Sequence, residues 1–353
     1  MKKCRMVYLV CTATIIGTGL GAAPASAGRT THVVRPGQSV QRAVDAARPG
    51  DTVLLTPGTY YESVTVSTPG LTLRGTGRST VVRPNPQRDP SDACSEAGNG
   101  ICVVGTRDES LRDVTVASLT VTGFTRTGVF AMATDHLTVR GVTAESNGVW
   151  GIAQERSVRA VLRGNTARSN GDAGIFLANT IKAEEGAQDT RGTVVEGNRV
   201  EDNRIGVTVR RLRGLAVEDN LVTGNCAGVF VVGDENAPRT GDLAVRGNHV
   251  RANNKSCPAT DRLPALEGTG IVLTGTEKVL VADNRVEDNA GASPLSGGVV
   301  LFKSFVGVTG EHNEISGNRL SGNSPADLVD TETPRANTFT GNTCGASRPA
   351  GLC

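Results

Sequence analysis

The chain has 353 residues, with 37 Lys and Arg against 35 Asp and Glu and a formal charge of +2. A balance that close excludes the basic surface on which nucleic-acid binding depends. Forty-four glycines with only 3% aromatic residues argue for a chain of many tight bends rather than one large aromatic core.

Residues 1–27 read as a secretory signal peptide: Lys2, Lys3 and Arg5 begin it, an apolar stretch runs from Met6 to Leu20, and Ala25-Ser26-Ala27 is a small-residue cleavage site. Its removal takes away three basic and no acidic residues, leaving 34 against 35 and a charge of −1. No later run is long enough to span a bilayer, so a secreted, extracellular chain without a membrane anchor is expected. Next comes Ser39 to Arg48, in which Val40, Ala43, Val44 and Ala47 recur at helical spacing behind a serine able to cap and before Pro49-Gly50.

The second half is dominated by asparagines in pairs five residues apart: Asn165/Asn170, Asn198/Asn203, Asn220/Asn225, Asn248/Asn253, Asn284/Asn289, Asn318/Asn323 and Asn337/Asn342. Successive first members lie 33, 22, 28, 36, 34 and 19 residues apart, so a unit of roughly 22 residues is lengthened by variable insertions. Around each pair the chain alternates β-branched and polar residues, as in TVVEGNRVEDNRIGVTV from Thr193, which predicts three short strands per unit with Gly and Asn at the bends. Coils of this kind stacked about 4.8 Å apart would place each asparagine over its equivalent, amide on amide. Their expected role is therefore structural. The register continues upstream through Val142/Asn147 and Leu119/Phe124.

Six cysteines remain after the signal, and sequence neighbours suggest Cys94 with Cys102, Cys226 with Cys257, and Cys344 with Cys353, one of fifteen connectivities. The four histidines are scattered and no CxxC spacing occurs, so zinc is not expected. Open solenoid ends would invite edge pairing. The Ser39–Arg48 helix is read as a lid on one end and the tail, residues 343–353, as a disulfide-closed stop on the other.

The asparagine register, together with SVQRAVDAARPGDTVLLTPGTYYESVTVSTPGLTLRGTG from Ser39 to Gly77, resembles the right-handed parallel β-helix proteins of the pectate-lyase-like superfamily. The opening segment is similar to the first turns of secreted β-helix polysaccharide lyases and of the β-helix protein that helps mature nitrous-oxide reductase. The resemblance implies an all-β chain, a single-stranded right-handed parallel β-helix over residues 28–353 with a short N-terminal capping helix. In its lyases, the resemblance implies an Arg or Lys that takes a proton α to a uronate carboxyl, commonly with calcium. The paired aspartates of polygalacturonase-type hydrolases and the Asp-Pro-His of alginate epimerases are absent, which speaks against hydrolysis and epimerisation.

Function then rests on one outer face. In each third strand the residue after Ile152, Ile175, Val207, Val229, Ile271 or Val299 points outward, giving a column Phe130, Ala153, Phe176, Thr208, Phe230, Val272, Val300. Phe130, Phe176 and Phe230, roughly 9.6 Å apart, are either a stacking track for polysaccharide or a patch that insertions cover. Candidate catalytic charges at the edge of that face are Arg210, Arg211, Lys303, Glu155 and Asp234. Arg210-Arg211, with Arg213 behind, could hold a carboxylate bidentately. Thr134-Asp135-His136 is read as a bend. Carboxylates beside the ladder, Asp202, Asp219, Asp283 and Asp288, would admit calcium. A monomer acting on polysaccharide, as a lyase-like enzyme or a glycan binder, is one reading; a non-catalytic accessory protein presenting loops to a protein partner is the other.

Overall fold

The structure, a computed structural model, describes residues 28–87, 92–106, 108–333 and 336–353; the expected signal peptide, residues 1–27, lies outside them. One coil illustrates the whole: Val161–Arg163, Thr166–Arg168 and Ala173–Ala178 are its three strands. Each pairs in parallel with the corresponding strand of the next coil. Repetition builds three long sheets of 12, 10 and 11 strands, the faces of a single-stranded right-handed parallel β-helix. Leu162, Ala167, Ile175 and Leu177 are the inward members of that coil and are fully buried. Strands this short have no stability alone; stacking gives each coil a continuous apolar interior with its neighbours.

The asparagines line up as expected through the middle of the chain. Asn198 shows the pattern: its Oδ1 accepts from the backbone N–H and the amide of Asn165 at 2.9 and 3.0 Å, and its own amide donates to Asn220 Oδ1 and Leu162 O, both at 2.9 Å. One ladder runs from Asn165 through Asn198, Asn220, Asn248, Asn284 and Asn318. A second runs from Asn147 through Asn170, Asn203, Asn225, Asn253 and Asn289 to Asn323. All but the half-buried Asn323 are buried, and each amide bonds the backbone of its own bend and its neighbours.

The last pair departs from the expectation. Asn342 is not a second-ladder residue but the end of the first ladder, accepting from Asn318 at 2.9 Å. Asn337 belongs to a third, short ladder with Thr276 and Asn313. The reason lies in the chain length: the interval of 24 residues from Asn318 to Asn342 makes a rung, whereas 19 to Asn337 does not. Two ladders end on carboxylates. Asp327 accepts from Asn323 through one oxygen at 2.8 Å and from Gly345 N–H through the other at 2.8 Å. Glu332 takes Asn337 and Gly310 N–H in the same way, at 3.0 and 2.7 Å.

The third strand of most coils opens on glycine for a related reason. A Cβ on Gly151 would stand 2.8 Å from the amide nitrogen of Asn170 and 2.6 Å from Gly174 O, so the ladder leaves room for hydrogen only.

Both ends are covered. Helix α1, Val40–Ala46, is capped by Ser39, whose hydroxyl accepts from Arg42 N–H. Glu62 places its carboxylate on the free Val40 and Gln41 N–H groups, an anion where the helix N-terminus attracts one. Val40 and Val44 seal the interior. At the far end Phe339, Cys344 and Leu352 pack on the last rung. The disulfides are Cys94–Cys102, Cys226–Cys257 and Cys344–Cys353, the pairing that sequence proximity suggests.

Candidate functional site

Pairing across the third sheet places Phe130, Ala153, Phe176, Thr208, Phe230, Val272 and Val300 in one outward column. It is not an open track. Phe230 is 0% and Phe176 7% exposed, and Phe130 is half-buried. The cause is a second apolar cluster outside the coil, in which Leu266 and Leu295 from two insertions close over Phe230, Val272 and Val300. Cys226–Cys257 ties the first insertion down. The Phe230 ring standing in water would forfeit about 1.5–3 kcal/mol, which the covering loops recover.

Two clefts stay open on this face. The larger, about 430 Å³, is bordered by Trp150, Phe176, Asp172, Arg210, Arg262 and the Phe305-Val306 tip. The smaller, about 330 Å³, is bordered by Asn99, Arg126, Phe130, Glu155 and Arg156. Ile181 and Lys182 line both.

In the larger cleft the Trp150 ring stacks on Phe176 with centroids 4.4 Å apart and planes within 13°. Its indole N–H donates to Asp172 at 3.0 Å, and the Arg126 guanidinium sits 5.7 Å from the ring centre. The pair is thereby fixed, and both rings are buried, 6% and 7% exposed. Burial pushes the Asp172 carboxyl above the ordinary range, against the Trp150 hydrogen bond and the Arg204 charge.

The three neighbouring arginines separate by role. Arg211, 4% exposed, donates to Asp234 at 2.5 Å and to Ala183 O at 2.8 Å, with Glu184 at 3.3 Å. Burial works against the Asp234 carboxylate, yet hydrogen bonds from Asn236 and Arg211 hold it below its usual range. The expectation that Arg211 and Asp234 are available to a substrate is corrected: each is committed to the other, because a guanidinium this buried needs a carboxylate. Arg213 turns away to Asp242 and Glu277.

Arg210 differs from both. Among the described residues it has no carboxylate within 4.0 Å, and its one hydrogen bond, to Ile181 O, is 3.4 Å long. Burial, then repulsion from Arg211 and Arg262, lowers its pKa. Glu155 lines the smaller cleft and accepts from Ile181 N–H at 3.1 Å. Lys303 is exposed and borders neither cleft. Asp135, 6% exposed, receives a bidentate fork from Arg159 at 2.7 and 2.5 Å, while His136 takes φ 61° as the bend. Among the described residues no three His, Cys, Asp or Glu side chains gather as a metal-binding group.

Trp150, Asp172 and Arg262 had not been singled out from sequence. Trp150 is the only tryptophan of the chain, beside the opening glycine of a third strand, and that was a usable signal. Arg262 sits within an insertion, where no register fixes direction.

The family described as "Right handed beta helix region" matches residues 91–250, and that described as "Periplasmic copper-binding protein (NosD)" matches residues 179–349. Among solved structures, the mannuronan C-5 epimerase AlgE4 A-module of Azotobacter vinelandii superposes at TM-score 0.50, with 18% identity over 86% of this chain and 90% of that one. The DFA-IIIase of Arthrobacter chlorophenolicus A6 does so at 0.54, with 15% identity over 90% and 86%. The Dettilon tailspike protein gives 0.55, with 13% identity over 90% and 68%. No curated protein matches the sequence. At these identities the likeness is one of fold. The chain has the fold of a right-handed parallel β-helix.

Proposed function

We propose that this chain is an exported protein that binds acidic polysaccharide or its fragments in the larger cleft of the third sheet. The observation that carries the reading is Arg210: a half-buried guanidinium with no carboxylate within 4.0 Å among the described residues, in the cleft that Trp150 and Phe176 border. A partly desolvated cation is costly alone, and a ligand carboxylate arriving there in a bidentate geometry offsets that cost. The Phe305-Val306 tip, 50% and 60% exposed, is the apolar surface this cleft offers a sugar. Arg262 and Lys182, also without a carboxylate partner among the described residues, add to the positive field. The glycan-acting neighbours and three disulfides support the reading, the latter because such bonds persist outside the reducing cytoplasm.

Lyase-like turnover would use two groups of this cleft. Proton abstraction next to a carboxylate needs that charge neutralised and a base whose pKa is brought down; departure of the glycosidic oxygen needs an acid whose pKa is brought up. Arg210 and Asp172 are displaced in those two directions, so on this route Arg210 would be the base and Arg262 or Lys182 would neutralise the carboxylate. Retention on affinity gels of polygalacturonate and alginate, with and without calcium, tests binding, and absorbance of unsaturated products tests turnover. Arg210→Ala should abolish retention while leaving the melting temperature unchanged. Wild-type protein that passes both gels unretarded sinks the proposal in favour of an accessory role.

A further inference from the structure

The segment between the two clefts is a wall. Ile181 and Lys182 border the smaller cleft on one side and the larger on the other, so the face that bears Phe130 and the face that bears Phe176 are separated by this loop rather than joined. The wall is fastened at many points. Ile181 N–H donates to Glu155 at 3.1 Å, Arg211 donates to Ala183 O at 2.8 Å, and Thr180 Oγ1 donates to Ala183 O at 2.5 Å. Asn179 donates to Gly186 O at 2.7 Å, and Ala187 N–H to Pro238 O at 2.7 Å. Arg156 pairs with Glu185 at 3.0 Å. A loop held by hydrogen bonds to side chains of several rungs does not swing aside as a free lid would.

Arg210 stands on the larger-cleft side and donates, weakly, to the wall itself through Ile181 O. Its other N–H donors have no hydrogen-bond acceptor among the described residues. Resting on the acidic-glycan reading above, we infer that residues Thr180–Ala183 make this a chain-end site. A glycan enters the larger cleft past the exposed Phe305-Val306 tip, places a terminal acidic sugar against Arg210, and ends there. A polymer cannot lie straight along the face, because the wall blocks the axis of the solenoid between the two clefts.

The consequence is a stoichiometry. Calorimetric titration with oligogalacturonides of two to eight sugars, and with polygalacturonate of defined length, counts protein bound per chain. For the wild type, one protein per chain end is expected whatever the length, with no affinity gained beyond the few sugars that fill one cleft. In the Ile181→Gly variant, which keeps Lys182 and the backbone anchors, protein bound per chain should rise several-fold between eight sugars and a long polymer. Wild-type binding that already grows in proportion to polymer length overturns the inference while leaving the glycan reading standing. Absence of binding to every length, by wild type and variant alike, removes both.

Discussion

Replacing Asn220 by alanine is the sharpest test of what holds the coil together. Its Oδ1 accepts from Asn198 N–H and from the Asn198 amide, both at 2.9 Å, and its own amide donates to Val195 O and Asn248 Oδ1, both at 2.9 Å. Four bonds vanish together. Asn248 Oδ1 keeps the Asn220 backbone N–H, but Asn198 N–H, one Asn198 amide hydrogen and Val195 O lose a partner in a dry interior, since Asn198 and Asn220 are 2% and 1% exposed. At about 1–3 kcal/mol for each buried orphan, with relaxation and trapped water reducing the sum, the loss should be roughly 3–6 kcal/mol. Asn342→Ala, by contrast, removes Asn318 contacts and one bond to Ile315 O at 2.8 Å from a half-buried end that water can reach, and should cost about 1 kcal/mol. Urea unfolding followed by circular dichroism measures both. Equal losses at the two positions, or a loss under about 1 kcal/mol at Asn220, would refute the claim that buried amide pairing, and not merely the turn preference of asparagine, stabilises the stack.

Three further outcomes follow from particular residues. Phe230→Ala, at a ring with no exposure, should destabilise by about 3–5 kcal/mol; a fall of less than about 1 kcal/mol in chemical unfolding would mean that the insertions do not close over it. Gln154 lies inside the coil at 1% exposure, paired in register with Ala131 and Leu177, and neither its oxygen nor its nitrogen has a hydrogen-bond partner. Gln154→Leu should therefore raise stability by about 1–3 kcal/mol, read as a higher midpoint in the same titration. Asp51, which accepts from Arg48 and Thr30 N–H and from His32, has its pKa lowered to about 2. A folded value below the ordinary 3.8 means the stabilisation is complete above that pH and is lost as pH falls toward 2. Hydrogen exchange should show protection of the Thr31–Val34 strand fading over that interval in the wild type, and already absent at neutral pH in Asp51→Ala.

How much of this was legible beforehand depends on what sets each feature. Alternation within a strand fixes which side chains face in, so Ile175 and Val207 could be placed and Phe176 assigned to the outer column by counting. The ladder was legible because a bend of fixed length repeats, and it misled only at Asn337, where the chain supplies an asparagine five residues before a true rung position. Disulfide pairing followed from nearness along the chain. The covering of Phe230 was not legible: it depends on where Leu266 and Leu295 land, and both lie in insertions whose path no periodicity dictates. Likewise Arg210 and Arg211, adjacent in sequence, became opposites because one points at Asp234 and the other at open space, a difference decided by the loops on either side.

The ladders also have a direction. Between asparagines, each side-chain amide donates to the oxygen of the C-terminal rung and each oxygen accepts from the N-terminal one, and in two ladders Asp327 and Glu332, which can only accept when ionised, take up the last such donor. Any interior unit thus presents the same two faces to whatever precedes and follows it. A copy of the segment from Asn198 to Asp219 spliced after itself would meet matching partners above and below, lengthening the molecule by one step of a ruler while the terminators stay where they are.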